Sequence, residues 1–390
     1  MARMTRTTMR ALLAGVAATV AIPSVTVAQD QIGGFDVEIT KSKKRKRVKK
    51  QDIVDVRLDP NWKGPKSIDE ALDMVKDGGE VVVHPGVYRP EFISLRKSVT
   101  IRGIRDSYGE APTLVADGGC LSVGRHSVSA RLSDLTFAAG DRTCISVSKG
   151  QLEIEASEIR GKNASDYYRP MTVSDHLTPF SETAAVGSNA ALVSIRGGRV
   201  SITNSRIVGG ETGVMISPDL TGNAFEHVFL RENEISQMER AGVVMVGNVD
   251  ATLSSNRILA NGMGGVVYSA SGHARLVDNI ISNNAYSGVY IASGDREAIS
   301  VERNKIHDNT RDGIKVRSGV AILVGNEIGE HDGCRVREEP FDRTTSQHLA
   351  RPPITLLADA AGVNAYRTPN GCEKGELRSS NDRRRGSRRR

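Results

Sequence analysis

Residues 253–291 read LSSNRILANGMGGVVYSASGHARLVDNIISNNAYSGVYI, and one pattern is written in them twice. Leu253 and Leu276 each stand three residues before an Asn. Each Asn opens an N-x-I triplet, Asn256-Arg-Ile258 and Asn279-Ile-Ile281. About seven residues after each Ile comes a Gly-led strand, Gly265-Val-Val-Tyr268 and Gly288-Val-Tyr-Ile291. The pattern runs outward in both directions. Asn233-Glu-Ile235, Asn304-Lys-Ile306 and Asn326-Glu-Ile328 extend it at intervals of 22 to 25 residues. Ser205-Arg-Ile207 and Ser157-Glu-Ile159 hold the same slot upstream, and Gly213, Gly242 and Gly313 open further Gly-led strands.

Three short alternating strands in about 23 residues cannot bury a face alone, but stacked copies bury it continuously. The chain is therefore expected to be all-β, a parallel β-helix of nine or ten coils. Period-2 alternation sends Val214, Val243, Val266, Val289 and Ile314 inward, and Met215, Val244, Val267, Tyr290 and Lys315 outward. Leu121, Ile145, Leu192 and Cys334 are expected in the same inward slot of other coils. A propeller blade would need about twice this repeat length. Asn in every coil suits a left-handed turn position and a side-chain ladder from coil to coil. Asn261, Asn284 and Asn309 predict a second, shorter ladder.

A solenoid end exposes strand edges and needs a cap. Ser67-Ile-Asp-Glu70 reads as a capping box opening a helix to about Lys76, with Gly78-Gly79 beyond it. The run GGEVVVHPGVYRPEFISLRKSVTIRG (residues 78–103), with this helix and the repeated coils, resembles the pectate-lyase-like right-handed parallel β-helix superfamily over about residues 53–337. That superfamily holds lyases, hydrolases, esterases, epimerases and proteins without catalysis, so the resemblance implies fold more than activity.

The formal net charge of +7 invites a nucleic-acid reading. Eight cations stand in residues 41–50 (KSKKRKRVKK) and six in residues 383–390 (RRRGSRRR). Without these tails and the N-terminal region, residues 51–382 carry a net charge of −7. A nucleic-acid role is therefore not expected, although basic tails suit an anionic polymer or surface. Arg3, Arg6 and Arg10 precede an apolar run at residues 11–22, and Thr26-Val-Ala28 precedes an expected cleavage site. Residues 1–28 are read as a signal peptide, 29–50 as a basic linker, 51–337 as the solenoid and 338–390 as a C-terminal segment with a basic tail. This order predicts a secreted or periplasmic protein. No apolar run is long enough for a transmembrane segment.

Cys120-Leu-Ser-Val123 and Cys144-Ile-Ser-Val147 lie 24 residues apart, one coil, so a bridge or two stacked thiols are both open. Cys334 and Cys372 form the other candidate pair. An exported chain with four Cys favours two bridges. No spacing of His or Cys suggests a metal, and none is expected.

Chemistry must come from outward residues and insertions. Residues 160–191 are a long insertion carrying Tyr168 and His176, placed as substrate contacts. The last coils carry a charged set. Lys315 and His331 are the candidate bases, and Arg335 the binding or protonating group. Arg317, Arg337, Asp312, Asp332 and Tyr290 are the expected substrate contacts. Alignment of these coils stacks Asp312 on Asp332, Lys315 on Arg335 and Arg317 on Arg337. Rows of cations need an anionic counterpart. Proton abstraction beside a sugar carboxylate needs a neutralising charge and a base. The resemblance implies the same class, since β-helix polysaccharide lyases use Lys, Arg or His, some with calcium. The calcium-binding and catalytic motifs of those families are missing here. The expected function is binding or modifying an anionic, uronate-type polysaccharide or envelope glycan, as lyase or C5-epimerase if an enzyme. The alternative is a non-catalytic binding or structural β-helix.

Overall fold

The computed structural model describes residues 50–140, 142–164, 190–217, 227–292 and 298–338, with the backbone of a strand at 354–356. The expected signal peptide, most of the linker, Tyr168, His176 and Cys372 lie outside the described residues. The chain divides after Arg47, and the second unit is the solenoid.

The described chain is a parallel β-helix with three strand faces. Strands such as Glu234–Ser236, Arg257–Leu259 and Ile280–Ser282 stack into a 10-stranded sheet, the Asn–Ile face. The strands leading into each Asn and the Gly-led strands form two further faces. These join in one 20-stranded sheet because Val243–Ser254 and Val266–Val277 run through both. Among the described residues the Asn–Ile face has ten rungs, within the expected count, and the sheet of the other two faces continues beyond it at both ends. Ile354–Leu356 pairs in parallel with Val320–Val324, so the sheet extends past residue 337.

The inward aliphatic residues fall where alternation places them. Val214, Val243, Val266, Val289 and Ile314 are all fully buried in one continuous core with Ile235, Ile258, Ile281 and Ile306. Two slots are corrected. Ile145 pairs with Val193 rather than Leu192, and Ile314 pairs with Val336 rather than Cys334. Cys334 is buried in the turn before its strand.

The first ladder is continuous. Backbone N–H and Nδ2 of Asn233, Asn256 and Asn279 each donate to Oδ1 of the next Asn at 2.9–3.0 Å. Serines extend it: Ser205 N–H donates to Asn233 Oδ1, and Ser157 N–H to Ser205 Oγ. The left-handed residue is the one before the Asn, as at Glu232, Ser255, Asp278 and Arg303, and not the Asn itself. That turn aims the amide along the solenoid axis, where its donors and acceptor are all used.

The N-terminal helix spans Ile68–Met74, and Glu70 N–H donates to Ser67 Oγ at 3.2 Å. It is shorter than expected, because Val75–Val83 is a strand paired with Gln51–Val56. Ile68 and Ala71 join the N-terminal end of the main core. No helix among the described residues is long and apolar enough to cross a membrane.

Candidate functional site

One outward row on the Gly–Val face organises the surface. By register it reads Ser94, Ser122, Ser146, Ser194, Met215, Val244, Val267, Tyr290, Lys315, Arg337. The row therefore has a hydroxyl stretch, an apolar stretch and a cationic end. The apolar stretch is not bare. Met215, Val244, Val267 and Tyr290 form a second buried cluster with Ala191, Ala241, Met263, Ala285 and Tyr286. Tyr290, expected to touch substrate, is 2% exposed. Its ring instead supports Lys315, whose Nζ lies 5.6 Å from the ring centroid.

At the cationic end the register differs from the expected alignment. Lys315 pairs with Arg337, not Arg335, so Arg317 does not pair with Arg337. Nor does Asp312 stack on Asp332. Asp312 is buried and accepts Cys334 N–H at 2.7 Å, and Arg337 Nε donates to both its oxygens at 2.9 Å. A buried carboxylate with a guanidinium and an amide on it is satisfied, and it fixes Arg337 beside Lys315. Such a carboxylate does not fit a calcium ligand. Among the described residues no group of His, Cys, Asp and Glu has an arrangement that could hold a metal ion. Arg317 and Asp332 are exposed and Arg335 is half-buried.

His331 does not serve as the open base expected of it. The second ladder runs from Asn261 N–H to Asn284 Oδ1, then Asn284 N–H to Asn309 Oδ1, each 3.1 Å. Asn309 N–H then donates to His331 Nδ1 at 3.2 Å, so the imidazole occupies the next Asn slot. Nδ1 is thereby an acceptor already in use. Burial holds the pKa of His331 below the ordinary imidazole value, outweighing the backbone hydrogen bonds at Ile306 and Asn309 and the charges of Asp308 and Asp312, which raise it. The sequence carried this signal, since Asn304 to Asn326 and Asn309 to His331 are the same 22-residue step.

Cys120 and Cys144 are bridged with Cα atoms 4.5 Å apart, and Cys334 is also disulfide-bonded. Bridges of this kind persist in oxidising compartments.

The family described as "Right handed beta helix region" matches residues 183–336. The A-module of the Azotobacter vinelandii mannuronan C-5 epimerase AlgE6 is similar at TM-score 0.51 and 15% identity, over 73% of this chain and 79% of that one. The fold is a right-handed parallel β-helix. Pectate lyase Pel9A is similar at TM-score 0.46 and 12% identity, over 75% of this chain and 80% of its own. A variant of the periplasmic alginate epimerase AlgG reaches TM-score 0.39 at 11% identity, over 73% of this chain and 76% of its own. At these identities the likeness is one of fold. No curated protein sequence matches this chain.

Proposed function

We propose that this β-helix is exported and binds an anionic, uronate-type polysaccharide at the cationic end of its Gly–Val face, acting there as a lyase or C5-epimerase. The observation that carries the reading is the in-register pair of Lys315 and Arg337, with Arg337 held rigid by Asp312. A fixed guanidinium neutralises a sugar carboxylate and makes the adjacent C5 proton more acidic. Lys315, one strand spacing away, is the group placed to remove it. For a lyase, the C5–H electron pair forms the C4–C5 double bond, the C4–O bond breaks, and the leaving oxygen takes a proton from Arg335 or water. For an epimerase, a proton returns to C5 from the opposite face. Tyr168 and His176 remain proposed contacts from the insertion.

A second reading, a non-catalytic glycan-binding β-helix, is favoured by the engagement of His331 in the ladder, which removes one of the two candidate bases. One experiment separates them. The protein is incubated with alginate and polygalacturonate, with and without calcium. Unsaturated uronate is followed by absorbance, and deuterium uptake at C5 by NMR. Either signal, lost in Lys315→Ala, supports catalysis. Absence of both leaves binding alone, and activity retained in Lys315→Ala overturns the proposed base.

A further inference from the structure

The hydroxyl stretch at the N-terminal half of the Gly–Val face is unlike the rest of the surface. Ser94 is exposed, Ser122 and Ser146 half-buried, and Ser194 only 7% exposed, yet none of these hydroxyls has a hydrogen-bond partner among the described residues. Their register is fixed by parallel pairing, and the Cys120–Cys144 bridge ties the two central coils directly before Ser122 and Ser146. The row is thus a rigid series of unused donors and acceptors repeating every ~4.8 Å.

Leu95, Val123, Val147 and Ile195 are register partners, and the turns that leave these strands carry Arg96 and Arg196 one residue later and Arg125 and Lys149 two residues later, so the four cations follow the same strand edge in two adjacent slots. None of these cations makes a side-chain hydrogen bond or ion pair among the described residues. Elsewhere on the solenoid many arginines are matched, although Arg89, Arg199 and Arg257 have no ion pair among the described residues. Arg102 meets Glu80 at 2.7 Å, Arg105 meets Asp134 at 2.9 Å, and Arg303 meets Asp278 at 2.8 Å. A row of unmatched cations on a body of net negative charge repels itself and attracts an external anion. The opposite edge carries Glu91 and Asp117, and also Arg142 and the half-exposed ring of Phe92 at 53%. The field across the strip therefore points an anionic chain toward the arginine side.

We propose that this strip is a second binding site for an anionic linear polysaccharide, separated from the Lys315–Arg337 end by the covered apolar stretch. Hydroxyls one strand spacing apart match the hydroxyl-rich edge of successive sugars, the cations match their carboxylates, and Phe92 offers a ring face to one pyranose. Phe92 alone is too little for a series of stacked bases, which argues against single-stranded nucleic acid. From Ser194 to Lys315 is five rungs, about 24 Å, so a short oligosaccharide occupies one site at a time. The inference rests on the polysaccharide reading above and adds a site away from its chemistry.

The test is binding to the full chain by calorimetry, using trimers of galacturonate, guluronate and mannuronate, a heparin tetrasaccharide and a short DNA duplex. Two binding events are expected for at least one uronate trimer. Arg96→Ala/Arg125→Ala/Lys149→Ala/Arg196→Ala should remove one event or weaken it about tenfold and flatten its salt dependence. Its thermal midpoint should match the parent. Arg125→Glu alone should weaken the same event, which keeps the test decisive if the fourfold variant misfolds. Unchanged stoichiometry and affinity in both variants overturn this site while leaving the proposed function standing. Loss of binding in the strip variants with none in Lys315→Ala keeps the strip and overturns the Lys315 placement. No binding of any uronate by the parent overturns both. Preference for heparin would assign sulfate as the anion rather than carboxylate, and equal affinity for DNA would overturn the polysaccharide class.

Discussion

Asn279 is fully buried and uses every polar atom of its side chain. Its Oδ1 accepts Asn256 N–H and Nδ2 at 2.9 Å, and its Nδ2 donates to Leu253 O and Asn304 Oδ1 at 2.9 Å. Asn279→Ala would take partners from donors and acceptors on both neighbouring coils, at a cost of about 2–4 kcal/mol. Asn279→Ser should cost less, because Ser205 already serves as an acceptor in the same ladder. Urea unfolding of the two variants checks both the size and the order. His331 supplies the pH-dependent case. Its pKa is lowered in the folded state, chiefly by burial, with backbone hydrogen bonds at Ile306 and Asn309 and then Asp308 and Asp312 opposing. Folding therefore favours the neutral ring. Its contribution is intact above the unfolded imidazole value of roughly 6.5 and is lost as pH falls below it. His331→Asn keeps an acceptor for Asn309 N–H without titrating. The variant should hold exchange protection at Asn309 between pH 7 and 5, where the parent loses it. Equal loss in both would assign the acid sensitivity elsewhere.

At the level of strands and turns, the ladder dictates where glycine is required. An added Cβ at Gly265 would lie 2.6 Å from Ile281 Cγ2, 2.7 Å from Gly288 O and 2.9 Å from Asn284 Nδ2. The Gly-led strands pass this close because the second ladder sits directly against them, and Gly242, Gly288 and Gly313 meet the same obstacle. Gly265→Ala should destabilise by about 1–3 kcal/mol through overpacking. Gly118→Ala, with nothing within 4 Å, should be close to neutral. Chemical denaturation of this pair tests whether the glycines serve close approach or only turn freedom. The same regularity explains what the sequence could and could not reveal. Inward aliphatics and ladder Asn recur within one coil, so a local pattern discloses them. The site depends on register between coils. Similarity of charge suggested Lys315 over Arg335, whereas the constant eight-residue step from Ile306 to Ile314 and Ile328 to Val336 sets Lys315 against Arg337. The hydroxyl strip escaped notice because isolated Ser and Arg in turns look like ordinary surface until stacking aligns them.

Across the whole molecule, each coil touches only its neighbours, so stability is a chain of local terms rather than one global quantity. The Cys120–Cys144 bridge closes a segment of 24 residues at the N-terminal half. By the loop-entropy estimate, its removal should cost about 3 kcal/mol. In a compact globular domain that loss would lower protection everywhere. Here the core is continuous from Val54 to Ile328, but the coils that the bridge joins lie several rungs from Ile306 and Leu323. Cys120→Ser/Cys144→Ser should therefore lower hydrogen-exchange protection strongly at Leu121–Val123 and Ile145–Val147 and leave Lys305–His307 and Val320–Val324 near their parent values. If protection instead falls equally at both ends, coupling along the solenoid is long-ranged and the nearest-neighbour description fails. The outcome also bears on the two proposed binding sites. Local coupling would let the hydroxyl strip and the Lys315–Arg337 end be altered independently, so that a defect in one reports on that site alone.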